Sequence, residues 1–303
     1  MLRFWRILKK AATEFFADNG MKLSAALSYY TIFSIGPLLI VVISLAGIFY
    51  GREAVQGKIY GQINGLVGSK AALQIQEIIQ NIEESQLSAS GAVVGVVILL
   101  IGATGVFTEI QDSINYIWSV KAKPQKGWLH LIMNRVISFS LIISFGFILL
   151  VSLVIHAVVD VLHNALFNFF DEMTVYLFQG INYIFLFAVI SCLFAIIFKV
   201  LPDASIKWKD AFIGAAFTSI LFLVGKFLIG FYLSQSNIGV TFGTAASIVL
   251  LLLWVYYSSI ILFFGAEFTK VYALHYGGGI QPDTSAVFII KQEAKELDFE
   301  KIR

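Results

Sequence analysis

The 303-residue chain is 58% hydrophobic and only 13% charged, with 28 Phe against 4 Pro and a mean hydropathy of +0.84. Soluble domains carry roughly 25% charged residues, so a water-soluble fold is excluded and a polytopic membrane protein is expected. The single cysteine, Cys192, excludes a disulfide framework, a cysteine zinc site and an iron–sulfur cluster, while the formal net charge of +2 conceals a strong asymmetry of placement.

Residues 1–23 read as an amphipathic basic helix. Trp5, Leu8, Ala12, Phe15 and Phe16 share a face, with Arg3, Arg6, Lys9 and Lys10 around it. Two placements fit: a helix lying on an anionic inner leaflet, or one packed under the helix bundle. The first apolar span, 24–50, starts too late and runs too long for a cleavable signal peptide. It carries Ser24, Ser28 and Thr31 on one face, and Pro37, which lacks an amide donor, is expected to kink it and is a candidate gating point.

The connection 51–90 is expected outside the membrane. Within it Ser69 can cap a helix that turns Ala72, Ile75, Ile79 and Ile82 one way and Gln76, Gln80, Glu83 and Glu84 another. Roofing the bundle and binding a partner are both open to such a helix. In the second span, 91–118, a helical stripe runs Gly91, Gly95, Ile98, Gly102, Gly105, Glu109, Asp112 and Tyr116. Small residues permit close helix packing, and the acids that continue the stripe are expected to face the interior. Arg135, at the same depth, is a candidate partner for Asp112.

The third span, 135–159, ends near His156, Asp160 and His163, spaced along one helical face and of ligand types suited to a divalent metal. No fourth ligand is evident, so neither a metal nor a cofactor is expected. The fourth, fifth and sixth spans cover 178–199, 211–233 and 244–269. The fifth carries a stripe of Ala211, Ala215, Ser219, Phe222, Lys226 and Gly230, where Lys226 either lines a polar interior or snorkels outward. Residues 271–303 read as a cytoplasmic tail, polar and flexible after Gly277, Gly278 and Gly279.

Orientation follows from the basic residues. Seventeen Lys and Arg fall in the N-terminal segment, the second and fourth connections and the C-terminal tail, against Arg52, Lys58 and Lys70 on the other side. This bias predicts an all-α protein of six transmembrane helices, 24–270, with both termini cytoplasmic. Glu109, Asp112, Arg135 and Lys226 are its candidate interior polar site. Gly65 to Lys70 and Gly225-Lys226 lack the spacing of a phosphate loop, and no nucleophile or paired-histidine motif is present. No enzymatic activity and no nucleic-acid partner are expected; membrane lipids and envelope proteins are the expected partners.

From Ala25-Ala26-Leu27-Ser28-Tyr29-Tyr30 through Ser34-Ile35-Gly36-Pro37-Leu38-Leu39, the chain resembles the YihY/BrkB family of bacterial inner-membrane proteins. Later segments agree in order: Ile114-Asn115-Tyr116-Ile117-Trp118, Leu201-Pro202 with Trp208 and Gly214, Gly225-Lys226, and Leu253-Trp254-Val255-Tyr256 leading to Gly265-Ala266-Glu267. Phe242 departs from the Tyr expected before Gly243. The resemblance implies a six-helix protein of the bacterial cytoplasmic membrane. Members have been labelled ribonuclease, a label these residues do not support; others are linked to export of lipid precursors, which implies transport or flipping of an amphiphile. The competing expectations are an ion-coupled small-solute transporter, a scaffold for envelope machinery and an intramembrane lipid-modifying enzyme.

Overall fold

A computed structural model describes residues 2–34, 73, 105–123, 172–235 and 246–291. Six helices dominate them: α1 (Leu2–Ala17), α2 (20–34), α3 (105–117), α4 (Glu172–Val200), α5 (Trp208–Gln235) and α6 (Ala246–Tyr276). Two stretches, Trp208–Tyr232 in α5 and Val249–Tyr276 in α6, are long and apolar enough to cross a membrane, and Ile184–Val200 in α4 is a shorter apolar helix. Pro37, Gly91, Gly95, Gly102, Arg135, His156, Asp160, His163 and all of the 69–84 helix but Leu73 lie outside the described residues.

α4 packs on α5, and α5 on α6. The α5–α6 contact is built from small residues in antiparallel register. A methyl group added at Gly214 would overlap the Thr269 hydroxyl, and one at Gly265 would overlap the Thr218 hydroxyl. Each glycine thus receives the threonine of the facing helix. Both hydroxyls donate back to their own helix, Thr218 to the Gly214 carbonyl and Thr269 to the Gly265 carbonyl, at 2.7 Å each, so no polar group is left open in the seam. Further along, Gly225 admits Tyr257 and Ile261.

The chain ends of α3, α4 and α6 and the starts of α2 and α5 meet at one end of the bundle, the base. There, strand β1 (Val120–Ala122) pairs antiparallel with β4 (Ala286–Phe288), and β2 (Ala204–Ser205) with β3 (Gln281–Pro282). The segment after Gly279 is therefore not a flexible tail as far as Lys291. It is stitched to the connections that follow α3 and α4. The core beneath is Ile114, Ile117, Trp118, Phe198, Ala211, Ala215, Phe263 and Ala266, and the Trp118 indole donates to the Ala266 carbonyl at 3.0 Å.

α1 satisfies the packed alternative. Ile7, Ala11 and Phe15 are buried against α5 and α6, alongside Phe268 and Val271. The Phe4 ring lies tilted against Phe268, centroids 6.0 Å apart, while Asp18 reaches Lys270. Phe4 and Asp18 stand about 21 Å apart along the chain at helical rise while Phe268 and Lys270 stand about 3 Å apart along α6, so α1 runs across α6 rather than along it. Asn19, at φ 56°, takes the left-handed conformation that ends α1 and lets α2 begin at once.

Candidate functional site

The most concentrated chemistry among the described residues is an ionic cluster at the base. Lys270, on α6, places its Nζ 2.6 Å from Glu267, 2.9 Å from Glu14 and 3.4 Å from Asp18. The same ammonium donates to the Ile117 carbonyl at 2.9 Å. Glu267 is 0% exposed, and the ammonium 2.6 Å from its Oε1 is its counter-charge. Lys291 comes in from the C-terminal segment, 2.5 Å from Asp18, with its ammonium 4.4 Å from the Tyr116 ring centre.

Local structure explains this convergence. Glu267 and Lys270 stand three residues apart, neighbours on one face of α6, and Glu14 and Asp18 stand four apart on the face of α1 that packs there. α3 ends at Ile117, and Ser119, at φ 57°, turns the chain away into β1. Carbonyls of the last helical turn have no partner within the helix, and two lysines supply the donors and the complementary charge. Burial raises the Glu14 carboxyl, but the Lys270 ammonium, with Lys10 beyond it, outweighs this and holds it below its ordinary value. Burial pushes Lys291 below the ordinary lysine value, with Asp18 opposing.

A second set of bonds ties the connections. Asn115 on α3 brackets Asp203 after α4: its amide donates to the Asp203 carboxylate at 2.8 Å and its carbonyl accepts the Asp203 backbone N–H at 2.8 Å. Gln111, one turn earlier, donates to the same carboxylate. Asp210, in the first turn of α5, accepts the Gly278 N–H at 2.8 Å. The cluster can hold charge, position helices and exchange a proton. Among the described residues no group of three His, Cys, Asp or Glu side chains is placed to bind a metal.

Of the sequence-predicted site, Arg135 lies outside the described residues, and no ion pair joins Glu109, Asp112 and Lys226 among them. Gly105 faces Tyr30 of α2, as a packing glycine should, but Glu109 is half-buried and Asp112 exposed. The face of α3 that packs is Ile110, Ser113, Ile114 and Ile117, which corrects the inward placement of the acidic stripe: near a helix end carboxylates reach water, whereas the isoleucines must be covered. Glu109 accepts only a long bond from Ser113, at 3.5 Å. In α5, Ala211, Ala215 and Ser219 are buried as expected, whereas Lys226 is half-buried beside exposed Phe227 and no carboxylate pairs with it among the described residues. Sequence reasoning missed Glu14, Asp18, Glu267, Lys270 and Lys291 as a unit. The i,i+3 and i,i+4 acid–base spacing was the available signal.

Comparison with known proteins settles the family. A family model described as virulence factor BrkB matches residues 11–287. The chain belongs to the BrkB family. Similar BrkB-family relatives, each named UPF0761 membrane protein, include one of Azotobacter vinelandii, 27% identical over 274 residues (88% of this chain, 62% of the relative). Another, of Delftia acidovorans, is 27% identical over 271 residues (88% and 62%), and one of Psychromonas ingrahamii is 27% identical over 258 residues (83% and 82%). The chain thus spans about three fifths of the first two. No solved structure matches it. This BrkB-family chain is a mostly helical membrane protein; of the segments that carry the family resemblance, Ile114 to Trp118 and Ala266-Glu267 meet at the base, and Gly214, Gly225 and Gly265 lie in the α5–α6 seam.

Proposed function

We propose that this protein is a non-enzymatic, multi-pass protein of the bacterial cytoplasmic membrane that carries or flips a lipid-like amphiphile, with six transmembrane helices and with its base and both termini in the cytoplasm. Lys226 carries the reading. A lysine within an apolar span costs roughly 2.5–3.5 kcal/mol unless it is paired or hydrated. Lys270, by contrast, is met by three carboxylates. A cation in a span with no described protein counter-charge suits an anionic headgroup, and the exposed ring of Phe227, 5.9 Å from the ammonium, suits the chains of the same molecule. Without a nucleotide motif, such movement runs downhill, on an ion gradient or through an energised partner.

The test is a dithionite-bleaching assay in vesicles holding the purified protein and fluorescently labelled phosphatidylglycerol. Exchange between leaflets faster than in protein-free vesicles, lost in Lys226→Gln and retained in Lys226→Arg, is expected. Exchange no faster than in protein-free vesicles would reject the reading. Reporter fusions after residues 85, 125, 168, 205, 237 and 285 should alternate outside and inside, starting outside; two adjacent fusions on one side would reject the topology.

A further inference from the structure

α1 packs with one face and leaves two others open, and the open faces are ordered. Beside the buried row of Ile7, Ala11 and Phe15 lies an apolar row of Trp5, Leu8, Ala12 and Phe16, in which Trp5 and Phe16 are each 67% exposed. Next around the helix come Arg6, Lys9 and Lys10, all exposed. Because α1 runs across α6 rather than along it, it lies along the surface of any membrane that α6 spans. Its contacts fix which way it is rolled. Phe15, on the edge shared with the apolar row, packs on Phe264, toward the middle of α6. Lys10, on the opposite edge, meets His275 at 3.1 Å, at the helix end.

The apolar row therefore faces the hydrocarbon side and the basic row the water side. We infer that α1 is an in-plane interfacial helix that seats Trp5, Leu8 and Phe16 among the lipids and recruits anionic phospholipid with Arg6, Lys9 and Lys10. Two observations choose a lipid surface over a protein partner. The apolar row is continuous with the exposed apolar side of α5, where Phe4 of α1 packs on Phe217, and Ile220 and Val224, three and seven residues on along the same face, lie open. The adjoining charge is wholly positive, as an anionic leaflet requires, and each such residue near the surface strengthens the attraction. Glu14 is held mainly by Lys270, at 2.9 Å, and reaches only the edge of the row, Lys10, at 3.7 Å.

This inference rests on the membrane-spanning reading of α6 but not on lipid movement, and symmetric vesicles remove any dependence on which end faces the cytoplasm. In full-length protein carrying Cys192→Ser, Trp5→Cys or Phe16→Cys is labelled with an environment-sensitive dye and reconstituted into phosphatidylcholine vesicles. Either brominated phosphatidylcholine or brominated phosphatidylglycerol is added at about 20 mol %. The dye should be shielded from aqueous iodide relative to the same dye at Lys121→Cys on the exposed base. Brominated phosphatidylglycerol should quench it roughly twofold more than brominated phosphatidylcholine, an excess that Arg6→Gln, Lys9→Gln and Lys10→Gln together remove without exposing the dye to iodide. Iodide quenching equal to that at Lys121→Cys would overturn the in-plane placement, and equal quenching by the two brominated lipids would overturn the anionic preference.

Discussion

Replacing Lys270 by Met keeps the side-chain length and removes the charge on which three carboxylates converge. Glu14 is partly exposed and can turn to water or to Lys10, which lies 3.7 Å away. Asp18 retains Lys291. Glu267 has neither recourse, because it is fully enclosed and the ammonium removed is the one within ion-pair distance of it among the described residues. Stranding one partner of a buried pair costs about 3–5 kcal/mol, and the cost here falls on Glu267. A protein of this size loses roughly 2–4 °C of unfolding midpoint per kcal/mol, so Lys270→Met should melt on the order of 10 °C below wild type. Tryptophan fluorescence on detergent-purified protein measures the shift. If Glu267 is the stranded group, Glu267→Gln with Lys270→Met should recover much of the loss, and the pair should be strongly non-additive. A Lys270→Met midpoint within a degree of wild type, or a double variant as unstable as the summed singles, would refute this account.

The other contacts give further expectations. Trp118→Phe keeps most of the buried ring but leaves the Ala266 carbonyl without the indole donor, and should cost about 1–2 kcal/mol in the same melt. Gly214→Ala and Gly265→Ala each drive a methyl into a threonine of the facing helix; each should cost about 1–3 kcal/mol, partly relieved by Thr269→Ala and Thr218→Ala respectively. The folded-state value of Glu14 lies below its ordinary 4.5, so its contribution is present above that pH and is lost as pH falls through the lowered value. Glu14→Gln should therefore melt lower than wild type near neutrality, and the difference should shrink in acid; a constant difference would show that the carboxylate charge is not what stabilises.

Much of the architecture is legible in the sequence because it depends on period. The row Ala211, Ala215 and Ser219 is buried as its spacing predicts, since small side chains at helical intervals leave room only for another helix. On α3 the period is correct and the phase is not. The row of Gly105, Glu109, Asp112 and the row of Ile110, Ile114, Ile117 recur at the same interval about a third of a turn apart, and spacing alone cannot choose between them. The choice is made by tertiary contact with α4, α5 and α6. The base was illegible for a different reason: its strands are two or three residues long, too short to show alternation, and each finds its partner far away in the chain. Gly277 to Gly279 read as a linker, yet Gly278 is bound by Asp210 and Gly279, at φ 79°, makes the turn that returns the chain to β2.

The way the base is tied also limits where the protein can move. Backbone pairing joins the C-terminal segment to two connections, Asn115 joins α3 to Asp203, and Lys270 joins α1, α3 and α6. Opening a path there would break several buried interactions at once, whereas around Lys226 the sides of α5 are exposed and Gly230 meets nothing within reach of an added methyl. Helix separation that admits an amphiphile should accordingly occur away from the base. Lys121 and Val287 sit opposite one another in the β1–β4 pair, both exposed, at a separation a disulfide can span. In Cys192→Ser protein carrying Lys121→Cys and Val287→Cys, oxidation should lock this pair and leave phosphatidylglycerol exchange unchanged. Exchange that stops on oxidation and returns on reduction would show instead that the base itself must open.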